Sequence, residues 1–599
     1  MFDRKVIGFV LVIALSLFLA GSASAAFRPR VSVTDSTVTI NDLPAIKFKV
    51  GNGALAPAKR AEITAGRLIQ LVASGMDPKS LYAKGDKSQG RIYSGDTMIC
   101  IATAADAKTN QSDALTLAVT WASNIKSLLS MPAVVLSDKR LTIPLGENRT
   151  VSVGGAAIGQ IMSKSQDENI AFAASGANGR YVQVSGRRLG DTLVDVSIDG
   201  ERVSLPVSVK KYAGYITGKA VAEVTGNPCP TSTICYAVRQ ALSRNVIAEP
   251  GARVELGSVN CQGDALACAK DRTAKVDVSI SGPGYIPFNT KADVSVRNIA
   301  MRRTEVSQLF YSNDPERLLK YQVLFAGKLT DNKPTRVLFH HQNAMGKSVH
   351  FLVDVINPNI MPIKVKVARA VSSPITDTVL VGYKASLSFL KDDRSDVSVI
   401  ETIPPESRLV LVSDMLGHMD TTSGILQITQ IDGGESYIRI VANPPGLDNV
   451  AAGDIAAAPN PLVLTMSEHV YPLPIKEVSA DYEVGKQWAF IPLGKKALTD
   501  VTQQKKLYGN YGVTYQINVK VTNPTDTTKK VTVVFDPSAG LASGVFIIDG
   551  EFVSTKYVKP PSEFSLKSYR LRPGEVRYVR IVTLPVAGSN YPATLVVRS

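Results

Sequence analysis

Val353-Asp354-Val355-Ile356-Asn357-Pro358, followed by Ile363-Lys364-Val365-Lys366-Val367, recurs in outline as Ile517-Asn518-Val519-Lys520-Val521-Thr522-Asn523-Pro524, followed by Val531-Thr532-Val533-Val534-Phe535. In both copies an alternating apolar run ends at Asn-Pro and a second run follows, the pattern of two half-buried strands joined by a turn. Roughly fifty residues on, each copy has an acidic Pro-led turn before another strand, the spacing of an internal repeat. That turn is Pro404-Pro405-Glu406 before Leu409–Val412 in the first copy and Pro573-Gly574-Glu575 before Val579–Val582 in the second. Both segments read as β-sandwiches, 301–442 and 463–599. A helical insert around Val379, Tyr383, Leu387 and Leu390 decorates the first, and an Ala/Gly/Pro-rich linker, 443–462, separates them.

Upstream, residues 132–210 carry six short alternating runs, among them Thr150–Val153, Tyr181–Val184 and Thr192–Val196, with Asp199-Gly200 as a hairpin turn. They predict a compact antiparallel sandwich. Residues 26–131 read as an α+β module. A hairpin around Asn41, Asp42 and Pro44 leads to a helix with Pro57 in its first turn and Gly75 at its end, and a later helix aligns Leu117, Trp121, Ile125, Leu128 and Leu129. Asp106, Asn110 and Ser112 supply turn and cap chemistry before that later helix. Trp121 on its stripe reads as a core anchor. The fold class expected is mainly β: tandem antiparallel β-sandwich domains after a small α+β N-terminal domain.

The chain has 599 residues, 45% hydrophobic and 20% charged, with a formal charge of +15. This composition excludes wholesale disorder and a polytopic membrane protein. Arg4 and Lys5, the apolar run Val6–Ala20 and the small residues Ala23-Ser24-Ala25 read as a signal peptide, 1–25. No later transmembrane segment is evident, so the mature chain is expected to be secreted, periplasmic or associated with the cell surface. The Lys and Arg residues are dispersed, without the basic stripe and aromatic platforms that nucleic acid requires.

Four cysteines, Cys229, Cys235, Cys261 and Cys268, fall in the segment 211–300. In an exported chain they read as two disulfides with three possible pairings, stapling a small domain; their gaps do not suit a zinc knuckle. Cys100, in the apolar run Thr97–Ile101, reads as a small buried hydrophobe.

Two further resemblances add to this reading. The string Arg60-Ala61-Glu62-Ile63 with Arg67-Leu68, then Asp106-Ala107 and a helix bearing Leu117-Ala118, Trp121-Ala122 and Ile125, resembles an extracytoplasmic module that precedes some mechanosensitive channels. Gly146–Val153 with Val184, Gly186, Gly190, Thr192, Val194 and Val196 resembles bacterial Ig-like group 2 domains and the N-terminal domain of pilus-formation proteins. These resemblances imply an envelope location and a role in packing or adhesion, with no catalytic residues.

Chemistry-bearing groups are few. His340 and His341 end one predicted strand and His350 begins the next, so a hairpin could bring them together near Asp354 as a metal set. Hydrogen-bonded histidines at a sheet rim are the plainer reading. Gly51-Asn52-Gly53 reads as a turn rather than a nucleotide fingerprint. Asp392, Asp393 and Asp396 read as a solvated helix end. No catalytic motif and no cofactor site is found. The function expected is a non-catalytic envelope or surface protein acting through structural and adhesive interactions. The alternatives are a binding protein for an anionic or carbohydrate polymer, to which the tyrosines of Tyr508-Gly509-Asn510-Tyr511-Gly512 would contribute if they do not simply pack a sandwich end, the plainer reading, and a His-dependent metal hydrolase. Partners expected are cell-wall or surface polysaccharide, or other envelope proteins.

Overall fold

A computed structural model describes residues 27–176, 179–259, 264–460 and 462–599. The expected signal peptide, 1–25, and Cys261 lie outside the described residues. The protein is mainly β and forms two units, one running to Ala213 with Gly282–Ile286, the other comprising Gly214–Ser281 and Pro287–Ser599.

In the first unit, the strands Val31–Thr34, Thr37–Ile40 and Leu43–Lys47 form one small sheet, and Leu81–Gly85, Gln89–Ser94 and Thr97–Thr103 form another. The helices α1 (Pro57–Ala73), α2 (Ala104–Thr109) and α3 (Ala114–Leu129) complete the module. Helix α1 starts at its proline and α3 buries Leu117, Trp121, Ile125 and Leu129, as their spacing predicts. The cap of α3 is Asp113, whose carboxylate accepts from the Thr116 N–H, whereas Asp106 belongs to a capping box with Thr103 at the start of α2.

Arg60 and Asp106, far apart in sequence, meet as a bidentate pair (2.9 and 2.7 Å) at 5% and 1% exposure. Arg60 also donates to the carbonyls of Val50 and Ile101 and lies 4.4 Å from the Phe48 ring. Phe48 in turn meets Trp121 edge-on at 5.2 Å. The following module is a sandwich of two four-stranded sheets around Val151, Val182, Val194 and Val207. Asp199 and Gly200 both take positive φ in its hairpin, as that turn requires.

In the second unit, segments that read as separate domains share one sheet. Arg253–Leu256, Asp271–Ser281, Phe288–Asn298 and Ala220–Thr225, all from the Cys-bearing segment, pair in series. Ala220–Thr225 then pairs with Ser398–Ile403, and the sheet continues through Ile363–Ile375, Thr421–Asp432, Thr335–Asn343 and Gln308–Ser312 to Val470–Pro472. Facing it is a five-stranded sheet containing Gln322–Leu329, Ser436–Asn443, Val349–Asn357, Ser407–Leu416 and Ile455–Ala457. The C-terminal sandwich has five strands on one side, including Thr514–Thr522 and Val576–Thr583, and four on the other, including Lys529–Asp536 and Phe564–Leu571.

Helix α4 (Thr231–Ser243) lies against Ala220–Thr225, and α5 (Thr378–Arg394) lies between the large sheet and the C-terminal sandwich. One apolar cluster runs across that seam, from Leu309, Leu338, Phe389 and Ile425 to Val519, Phe535 and Ile581.

The stretch 443–462, expected as a linker, is built into the five-stranded sheet. Ile455–Ala457 pairs with Ser407–Leu409, and Asp448 accepts two hydrogen bonds from Arg408 (2.6 and 2.7 Å). Val450 packs on Leu352, Val410 and Val441. These contacts cover the outer face of Val349–Asn357, which explains why all nine residues of that strand are buried.

The repeat seen in the sequence is a repeat of hydrogen bonds. Asn357 Nδ2 donates to the carbonyls of Met361, Ile403 and Pro404. Asn523 Nδ2 donates to those of Thr527, Leu571 and Arg572. A third copy, at Asn343, donates to Lys347, Leu416 and Gly417. Each asparagine stands where the chain passes from one sheet to the other and ties that crossing to a second one.

Candidate functional site

The three histidines do not converge. Asn343 sends the chain across to the opposite sheet, so the strands carrying His340–His341 and His350 face each other instead of forming a hairpin. His341 points between the sheets, 5.7 Å from the Phe351 ring. Its Nε2 meets the Ser312 hydroxyl (2.9 Å) and its Nδ1 the Pro315 carbonyl (2.9 Å), so Nδ1–H donates and Nε2 accepts. His340 faces the other way, near Gly588, with Nε2 3.9 Å from Glu316 and, among the described residues, no hydrogen-bond partner on either ring nitrogen.

Burial lowers the pKa of His340 to about 3 and of His341 to about 4. His350 meets Ser413 Oγ (2.9 Å) on the outer face. Asp354, the carboxylate expected beside the histidines, is held instead by Arg408 and Arg439. Among the described residues no group of three or more His, Cys, Asp or Glu side chains assembles as a metal-holding set.

Two disulfides are not what forms around the cysteines. Cys235 is disulfide-bonded, but Cys229 and Cys268 are thiols. Cys229 exchanges both backbone hydrogen bonds with Leu266, which places Leu266 rather than Cys268 opposite it. Burial pushes the thiols of Cys229 and Cys100 up to about 12. Asn52 and Leu55 close a turn with Gly53 at φ +58°, the turn that Gly51-Asn52-Gly53 suggested. Of the loop tyrosines, Tyr511 packs against Tyr591 and donates to the Ser589 carbonyl, while Tyr508 is exposed.

The acidic end of α5 is not simply solvated. Asp396 pairs with Lys366 and Asp393 with Arg303. Asp392 faces a cavity of about 250 Å³, and burial raises its carboxyl pKa to about 6. Val367, Val399, Leu409 and Leu411 form an apolar wall, and Tyr236 and Thr233 of α4, Ser388, Arg369 and Glu401 supply polar groups.

Arg369 is anchored by its Nε donating to the Leu411 carbonyl (2.8 Å), with its guanidinium 5.7 Å from the Tyr236 ring. Glu401 pairs with Arg244. A ring, a guanidinium, a carboxyl and hydroxyls around an apolar wall can hold a small hydroxylated ligand. Sequence reading missed this site because its residues come from separate elements; only Asp392 belonged to a flagged cluster.

A second feature unmarked in the sequence is a surface platform. Trp488 and Phe490 are 45% and 56% exposed, with ring centroids 6.3 Å apart. Arg598 lies 4.8 Å over Trp488 and pairs with Glu563.

Residues 37–131 match a family model described as a domain of unknown function (DUF8459). A search of curated proteins finds no match. Among solved structures, domains 4 and 5 of the S-layer protein SbsC are similar at 14% identity, over 22% of this chain and 73% of that one, with a TM-score of 0.13. The tandem Ig repeats of Dlar align at 10% identity, over 28% of this chain and 98% of that one, with a TM-score of 0.12. The M60 catalytic domain with two CBM51 domains from Clostridium perfringens ZmpB aligns at 11% identity, over 77% of this chain and 53% of that one, with a TM-score of 0.16. Among the described residues no helix is long and apolar enough to cross a membrane.

Proposed function

We propose that the chain is a non-catalytic structural or adhesive protein of the cell envelope. The observation that carries this reading is the continuity of the second unit: one sheet and one apolar cluster run through segments that could have been beads on linkers. Such a body transmits load without a hinge, which suits a spacer or a presenting module. Partners are then envelope proteins or envelope polymers.

A binding role toward an envelope polysaccharide is favoured by Trp488 and Phe490, since exposed adjacent rings give sugar faces an apolar surface. The chain's positive charge would add attraction to anionic polymers. Sedimentation with isolated envelope material tests both readings. Retention that survives about 1 M salt, where the Debye length falls to about 3 Å, is expected from specific contacts. Loss of that retention in Trp488→Ala assigns it to the platform. No retention at low salt contradicts both readings.

A further inference from the structure

Among the described residues, Arg336 is the buried arginine that has no carboxylate in a direct ion pair; the nearest help is the field of Asp393, which Arg303 already engages. Its equals in burial are paired: Arg60 with Asp106, and Arg408 with Asp354 and Asp448. Arg336, 2% exposed on the strand Thr335–Asn343, faces the C-terminal sandwich. Its Nη1 donates to the Gly512 carbonyl (2.7 Å) and Thr514 Oγ1 (2.8 Å), and its Nη2 to Gln427 Oε1 (3.3 Å). Phe389 lies 4.7 Å beneath it. Among the described residues Nε is buried without a partner and no carboxylate lies within ion-pair distance, Asp393 acting on the guanidinium only from further off. Removing a guanidinium from water without a paired counter-ion is costly, and neutral carbonyls offset this only in part. The expense is visible in a pKa lowered to about 10 by burial.

The same side chain lines a cavity of about 530 Å³, well inside the range of about 300–1,000 Å³ typical of small-ligand pockets. Arg303 and Arg394 line it too, and the carboxylates there are Asp393, already engaged by Arg303 (2.7 Å), and the exposed Glu305. Arg394 uses Nη1 on the Gly550 carbonyl. The opposite character is supplied by Leu390, Ile475, Ile547 and Val582.

We propose that this cavity binds a small organic oxyanion, a phosphate ester or a carboxylic acid, with its head on the arginines and its apolar part against Leu390, Ile475, Ile547 and Val582. Guanidinium forks match both heads, because each presents a pair of anionic oxygens at the spacing of two parallel N–H donors. An apolar tail distinguishes such a ligand from inorganic phosphate.

Calorimetric titration of the full chain in a phosphate-free buffer with hexyl phosphate, hexanoate and inorganic phosphate tests this. One-to-one binding of either hexyl ligand, tighter than inorganic phosphate, is expected, and the tighter of the two identifies the head group. Arg394→Ala and Arg303→Ala should each weaken it about tenfold, the worth of one charge-assisted hydrogen bond. These outer variants keep the test open if Arg336→Lys fails to fold. No saturable binding of either hexyl ligand below about 10 mM, which leaves less than about 3 kcal/mol of affinity, overturns the proposal. Unchanged affinity in both outer variants also overturns it.

Discussion

Asn357 and Asn523 make the same three hydrogen bonds in two different sandwiches. Each donates to the carbonyl four residues on and to two consecutive carbonyls of a distant crossing, at 2.8–3.1 Å for Asn357 and 2.9–3.0 Å for Asn523. Both are fully buried, so water cannot replace the amide. Each Oδ1 also accepts two hydrogen bonds, from Asn359 onto Asn357 and from Thr525 onto Asn523, so Asn357→Ala or Asn523→Ala should cost roughly 3–5 kcal/mol, at about 1 kcal/mol for each hydrogen bond lost. Aspartate at either position should cost at least as much, because its carboxylate cannot donate to three carbonyls. Urea denaturation measures both; a loss under about 1 kcal/mol would show that the corners are dispensable.

In the N-terminal module, Arg60→Met strands the Asp106 carboxylate at 1% exposure. A loss of about 3–5 kcal/mol is expected from breaking a buried pair on one side. The double variant Arg60→Met/Asp106→Leu should recover part of it, which urea melts of the single and double variants will show.

His340 and His341 make the fold sensitive to acid. In the unfolded chain both titrate near 6.5, whereas the folded rings stay neutral down to about 3 and about 4. Below pH 6.5 the unfolded chain therefore takes up protons that the fold refuses. Each histidine removes about 1.4 kcal/mol per pH unit until its folded pKa is reached, and neither contributes a slope above 6.5. His340→Gln should accordingly narrow its stability gap to the parent protein as the pH falls from 6.5 to 5. A gap that does not change with pH contradicts the burial of a neutral ring.

Cys268 is half-exposed, whereas Cys100 and Cys229 are buried with thiols pushed to about 12. A thiol reagent applied to the native protein at pH 8 should modify Cys268 first and reach the other two on unfolding, as peptide mass mapping would record. Rapid labelling of Cys229 would show that its pairing with Leu266 opens readily.

The sandwich repeats were legible because alternation and Asn-Pro corners are local: Val353–Pro358 and Ile517–Pro524 carry their strand and turn together. The histidine set was misleading because Thr335–Asn343 is covered on both faces, so adjacent His340 and His341 serve two different interiors. The linker reading of 443–462 failed for a similar reason. Its composition is that of a loop, but Arg408 and the apolar face of Leu352 and Val410 gave it something to pack on. Neither the cavity of Tyr236, Arg369 and Asp392 nor that of Arg336 could be read, since each is closed by residues far apart in the chain.

The continuity of the second unit is tested most directly by hydrogen exchange on Asn523→Ala. If one cooperative body extends across the seam, damage in the C-terminal sandwich should lower amide protection in Thr335–Asn343 and Val349–Asn357 as much as in Thr514–Thr522. Protection lost in the C-terminal strands alone, with those two strands unchanged, would contradict it.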